Sequence, residues 1–169
     1  MPASPPIAQQ DAVTAEIEVP ASPQRVFQAL TDPKQLAHWW GSEPTVDQLR
    51  FEMDARKGGK YIYECAAKPG IDMGAVADVL KRNHATHFIC RGEVLEIDPP
   101  RLLVWSWIAN WHEHPEHPTI VRWELTPSAT GTRVRVTHSG LANEPISRKD
   151  YGQGWDGVLH LLQTYLQRQ

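Results

Sequence analysis

The sequence predicts an α+β domain: an antiparallel, about seven-stranded curved sheet wrapped around a long C-terminal helix, with two short helices after the first strand. Three observations predict it. Short runs that alternate apolar and polar residues recur between turn signals. Two proline-opened helical segments stand together after the first such run, and the chain closes on one long apolar stripe at helical spacing.

The elements follow in order. "TAEIEV" (Thr14–Val19) places Ala15, Ile17 and Val19 on one face of a strand. Ser22 before Pro23, and Asp32 before Pro33, are helix N-caps with proline at the first helical position. The first helix carries Val26, Phe27 and Leu30 on one side. The second carries Leu36, Trp39 and Trp40 and is expected to stop at Gly41. "QLRFEMDA" and "YIYECAA" form a hairpin through Lys57-Gly58-Gly59-Lys60. "ICRGEVLEI", "RLLVWSWIANW", "TIVRWELTP" and "TRVRVTHS" complete the strands, punctuated by Asp98-Pro99-Pro100 and by residues 128–131. A helix from roughly Asp150 to Leu166 carries Trp155, Val158, Leu159, Leu162, Tyr165 and Leu166. Sequential strands with tight turns pair antiparallel, and the terminal helix must bury its stripe against their sheet.

The parity of the first hairpin decides which side chains enter the core. An even loop turns Glu64 inward and Tyr61 and Tyr63 outward. An odd loop, three residues with a glycine in the left-handed region, does the reverse. A buried lone carboxylate costs far more than an exposed tyrosine. The odd loop is therefore expected, with Phe51, Met53, Tyr61, Tyr63 and Cys65 on the inner face.

Composition bounds the function. Hydrophobic residues make up 41% and charged residues 22% of 169, ordinary for a globular chain. A net charge of -3, with no block of Lys or Arg, argues against nucleic acid as a partner. The apolar runs are too short to span a bilayer. Residues 1–13, "MPASPPIAQQDAV", read as a disordered tail rather than a signal peptide, leaving one domain over 14–169 and a cytoplasmic location as the expectation. Cys65 and Cys90 are expected to be buried thiols rather than a disulfide.

With the elements placed, four stretches carry a resemblance: "ASPQRVFQALTDPKQLAHWWG", "FEMDARKGGKY", "GEVLEIDPPRLLVWSW" and "THSGL…GQGWDGVLHLLQTYL". From Thr14 to Leu166, in the same order, the chain resembles the AHSA-type (activator of heat-shock-protein ATPase) branch of the SRPBCC superfamily. The resemblance implies the START-like, birch-pollen-allergen helix-grip fold. It also implies a deep apolar cavity for lipids, polyketides or other hydrophobic molecules, a minority of members being cyclases or other enzymes. Trp40-Gly41, Asp54, Gly58-Gly59 and Gly154-Trp155 stand at its pattern positions. Family members usually join the third and fourth strands by a short turn, whereas here Lys68 to Phe88 intervenes. Within it "DMGAVADVLKRN" offers Asp72 as an N-cap and Met73, Val76, Ala77 and Leu80 at helical spacing, predicting an inserted helix of about three turns over 72–83. A lid over the cavity, a homodimer contact and a plain surface insertion are its alternative uses.

"NWHEHPEHPTIVRW" (Asn110–Trp123) invites a metal-site reading, since His112, His114, His117, Glu113 and Glu116 crowd together. The sequence places them instead at a surface hairpin tip broken by Pro115 and Pro118, with no Cys near and no HExxH on a helix. No metal and no cofactor are expected. His138 shares the inward face of Val134 and Val136 and is the candidate general base or polar anchor, against the alternative of a histidine satisfied by hydrogen bonds. Asp54 and Arg56 read as a stabilising ion pair, His38 as rim packing and His160 as solvent-facing.

The leading function is binding of a small hydrophobic molecule in a pocket of ~300–1,000 Å³ between sheet and helix. Its expected lining is Trp40, Phe51, Met53, Tyr61, Tyr63, Trp105, Trp107, Trp123, Val136, His138, Trp155 and Leu159. A cyclase- or dehydratase-type enzyme using His138 or a tyrosine is the second reading. The third, implied by the resemblance, is a co-chaperone that stimulates a heat-shock-protein ATPase. The well-known activators carry a further folded domain where this sequence has its short tail.

Overall fold

The computed structural model describes residues 11–40 and 45–168. Gly41 and the first ten residues of the expected tail lie outside them. The elements are β1 (Val13–Val19), α1 (Pro23–Thr31), α2 (Pro33–Trp39), β2 (Val46–Met53), β3 (Lys60–Ala67), α3 (Ala75–Arg82), β4 (Phe88–Asp98), β5 (Leu102–Ala109), β6 (Thr119–Ser128), β7 (Gly131–Ser139) and α4 (Pro145–Gln167). The seven strands form one sheet in the order β1-β7-β6-β5-β4-β3-β2, every neighbouring pair antiparallel. The sheet curves into a half-barrel around α4, so the α+β helix-grip architecture is the observed one. Among the described residues no helix is long and apolar enough to cross a membrane.

The local signals act as read. The Ser22 side chain accepts from Arg25 N–H and that of Asp32 from Lys34 N–H, each capping a proline-opened helix. In the first hairpin Phe51 pairs with Tyr63 and Met53 with Tyr61, the parity expected of an odd loop. Asp54 N–H still bonds the Lys60 carbonyl, so the loop is residues 55–59, odd but longer than the three residues expected, with Gly58 at φ +83°, where a side chain would be strained. Glu64 faces outward and ties Arg50 (3.2 Å) and His87 (2.9 Å), which hold its carboxyl below the usual range. A bulge between Gln48 and Arg50 turns Leu49 out of the register, leaving it 48% exposed. Cys65 and Cys90 are buried free thiols.

Three boundaries differ from expectation. Val13 already pairs with His138, and Asp11 accepts from Gly140 N–H, so the ordered chain starts before Thr14. The inserted helix is shorter than 72–83: Asp72 accepts from Gly74 N–H in an Asx turn and so precedes the helix without capping it. Helix α4 begins at Pro145, ahead of the Asp150 expected, because Pro145 supplies the first-turn geometry and the buried face includes Ser147 and Tyr151. Tyr151 and Ser147 continue the stripe of Trp155, Val158, Leu159, Leu162 and Leu166 by one and two turns, but their hydroxyls hide it from a hydropathy reading.

Candidate functional site

The space between sheet and α4 is floored by indoles. Trp105 and Trp107 on β5 and Trp123 on β6 point inward; Trp155 on α4 faces them; Trp40, at the end of α2, enters from the side. Trp40 lies with ring centroids 6.3 Å from Trp105, 6.2 Å from Trp123, 6.1 Å from Trp155 and 5.4 Å from Phe51. The pairs with Phe51, Trp123 and Trp155 are edge-on and the one with Trp105 tilted, and aromatic pairs of this kind contribute roughly 0.5–1.5 kcal/mol each beyond burial. They also fill the volume. What remains is a pocket of about 150 Å³, smaller than the size expected from the sequence.

That pocket opens beside α3. Its walls are Trp40; Val46, Tyr63 and Cys65 of β2 and β3; Met73 and Val76 of the insert; Phe88, Trp107 and Trp111; and Asp150, Tyr151, Gly154, Trp155 and Val158 of α4. Four of the twelve expected lining residues are therefore at it: Trp40, Tyr63, Trp107 and Trp155. Phe51, Tyr61, Trp105, Trp123, Val136, His138 and Leu159 are buried in the surrounding core, and Met53 packs against it. The insert contributes to both: Val76 and Leu80 belong to the main core, while Met73 packs on it and reaches the pocket. On the far side of α3 a wider groove of about 940 Å³ carries Asp72, Asp78, Lys81 and His87 in its wall, with Phe88 as its aromatic side chain.

Behind the pocket lies a polar network that the sequence reading missed. The Tyr151 hydroxyl receives the indole N–H of Trp107 (2.9 Å) and of Trp111 (3.1 Å), and stands 2.7 Å from His112 Nε2. Indoles only donate, so both lone pairs of the phenol are used and its own proton must go to His112 Nε2. His112 is then the neutral tautomer with its proton on Nδ1. That buried N–H has no partner among the described residues, a cost of roughly 1–3 kcal/mol. Burial lowers the His112 pKa to about 4 and pushes the Tyr151 hydroxyl far above its ordinary value.

His112 being buried corrects the reading of its loop as a surface hairpin tip. Only the end of the loop is exposed, where His114 and His117 stack at 5.8 Å. Its start is anchored from two sides. The buried Glu144 carboxylate accepts Glu113 N–H (2.7 Å) and His114 N–H (2.8 Å), and Asn83, closing α3, donates to the carbonyls of Asn110 and His112. Asn110 in turn accepts Ile89 N–H. These carboxylate and amide partners are distant in sequence, so nothing local signals them. Among the described residues no group of three or more His, Cys, Asp or Glu side chains is placed to hold a metal ion.

His138 is inward and fully buried, as its alternation with Val134 and Val136 requires. Trp155 N–H donates to its Nδ1 (3.2 Å), leaving Nε2 protonated toward Thr119 Oγ1 (2.7 Å), which donates onward to the Trp107 carbonyl (3.0 Å). Both nitrogens are engaged, and burial, with the neighbouring His112, holds its pKa well below the ordinary value. Tyr61 is likewise occupied, donating to Ser106 O at 2.6 Å. Asp54 and Arg56 pair at 2.7 Å on the surface, His38 packs on Tyr165 at 5.5 Å, and exposed His160 bonds Asp156 O.

A half-barrel of antiparallel strands closed on a C-terminal helix, with a small apolar pocket between them, defines a helix-grip protein. The sequence profile of the family described as Activator of Hsp90 ATPase homolog 1-like protein matches residues 20–167, and the chain belongs to that family. No curated protein matches. Solved structures share the fold at low identity. A Nitrosomonas europaea protein is 20% identical with a TM-score of 0.69, covering 96% of this chain and 97% of that one. A Rhodobacter sphaeroides protein is 17% identical with a TM-score of 0.71, covering 97% of each. The AHSA1-like protein of Aeromonas hydrophila is 19% identical with a TM-score of 0.66, covering 93% of this chain and 92% of that one.

Proposed function

We propose that this domain binds a small apolar molecule, of about one ring, in the pocket between α3, α4 and the sheet. The pocket itself carries the reading: about 150 Å³, walled by Trp40, Tyr63, Trp107, Trp111, Tyr151 and Trp155. An apolar space of ~150 Å³ is enough for a benzene-sized guest and too small for a folded fatty acid or a polycycle. Binding is favoured over acid–base catalysis because the Tyr151 hydroxyl is taken up by Trp107, Trp111 and His112 Nε2, and both nitrogens of His138 by Trp155 and Thr119. Neither histidine is a wall residue. The insert supports a lid reading, since Met73 and Val76 stand at the pocket.

The test is a titration of one-ring compounds followed by tryptophan fluorescence and melting temperature. Saturable quenching with a rise in melting temperature is expected, because a ligand that binds only the folded state stabilises it. Gly154→Phe supplies the control. An added Cβ at Gly154 meets nothing within 4 Å, so the ring enters open space and should abolish quenching while the fold survives. Absence of saturable binding across a broad one-ring library would move a protein-interaction role to first place.

A further inference from the structure

We infer that the preferred occupant of this pocket is a small organic cation, an ammonium group on a one-ring apolar body. The inference rests on the binding reading above and names its ligand class. Two independent features of the walls point to it.

The first is what the walls can offer a polar group. Indole N–H edges would attract an anion, but of the four in the wall three are committed, those of Trp107 and Trp111 to the Tyr151 hydroxyl and that of Trp155 to His138, leaving Trp40 alone to offer one. The aromatic faces that remain carry the negative part of the ring quadrupole and attract cations. The second is charge. Asp150 is the one charged side chain in the wall, and among the described residues no cation lies within ion-pair distance of it. Lys149 and Gln153 flank it in the adjoining depression, where Lys149 forms no ion pair with it. A carboxylate at the mouth of an aromatic-walled pocket, with no basic residue in the wall, is complementary to an ammonium and opposes a carboxylate ligand. Partial burial of the carboxyl also raises the Asp150 pKa, although the residue as a whole stays exposed.

The experiment compares three probes of one size at pH 7: benzylamine, benzyl alcohol and benzoate, measured by calorimetry and tryptophan fluorescence. Benzylamine is expected to bind about 10-fold more tightly than benzyl alcohol, with benzoate weakest. Asp150→Asn, or Asp150→Ser should the first variant lose the fold, is expected to remove most of the advantage of benzylamine over benzyl alcohol, both measured in the same variant. Benzyl alcohol binding as well as benzylamine, or an advantage undiminished in Asp150→Asn, overturns the cation inference and leaves the binding reading intact. If none of the three binds the folded protein, the binding reading itself falls.

Discussion

The Tyr151 hydroxyl stands 2.7 Å from His112 Nε2, and it must be the donor of that bond. Trp107 and Trp111 already fill its two lone pairs, so one phenol satisfies two indoles and fixes the tautomer of a buried histidine. Helix α4 and the β5–β6 loop are joined by this one oxygen.

Tyr151→Phe should therefore be costly for a change of one atom. It strands two buried indole N–H groups and one imidazole acceptor, each worth roughly 1–3 kcal/mol when left unpaired. A loss of about 2–4 kcal/mol in urea unfolding is expected, discounting for relaxation. A loss below 0.5 kcal/mol would show that the network carries little of the stability.

Stability should also depend on pH through the buried histidines. His112 titrates near 4 folded, against about 6.5 unfolded, so the unfolded chain takes up the proton first. Its contribution is complete above pH ~6.5 and is lost as pH falls toward 4, on the order of 3 kcal/mol in all. His138, also lowered, continues the decline to more acid pH. The hydrogen-bonded carboxyls of Glu18, Asp32 and Glu64 lie below their ordinary values and so away from the interval from pH 6.5 to 5, while Asp150, raised by burial, acts there with the opposite sign to the histidines. Urea midpoints across that interval should fall, and less steeply in His112→Gln.

Glu144 holds the histidine loop by its backbone. In Glu144→Ala the amides of Glu113 and His114 lose their acceptors, and hydrogen exchange there should accelerate at least tenfold. Exchange in the β1–β7 ladder should change much less; uniform acceleration would mean a global rather than a local anchor.

The insert should separate into two functions. Leu80→Ala, in the core, is expected to cost about 2–4 kcal/mol. Met73→Ala, at the pocket rim, should cost much less but speed ligand exchange, measured by stopped-flow fluorescence. Exchange unaffected by Met73→Ala would remove the lid role.

Protein purified without a polyhistidine tag should hold no stoichiometric zinc by elemental analysis. His112 is buried against Tyr151 while His114 and His117 are exposed, so the three do not converge. One tightly held zinc per chain, lost on replacing all three, would reverse this reading.

By itself the sequence determined the architecture. Period-two runs, two capped proline helices and one apolar stripe specify seven strands and their closing helix, because these signals act within a few residues of one another. It also determined the inner face of the first hairpin, since a buried Glu64 would have cost more than any turn could return. Tertiary structure decided the rest. The size of the pocket depended on Trp40 entering from the end of α2, a matter of ring packing between elements far apart in the chain. The hub at Tyr151 depended on partners forty-four, forty and thirty-nine residues away, and the anchor at Glu144 on amides thirty-one and thirty away. Hydropathy sees tyrosine and glutamate as surface-tolerant residues. Only the folded chain brings up the donors that make burying them favourable, because hydrogen bonds across such distances leave no periodic trace in the sequence.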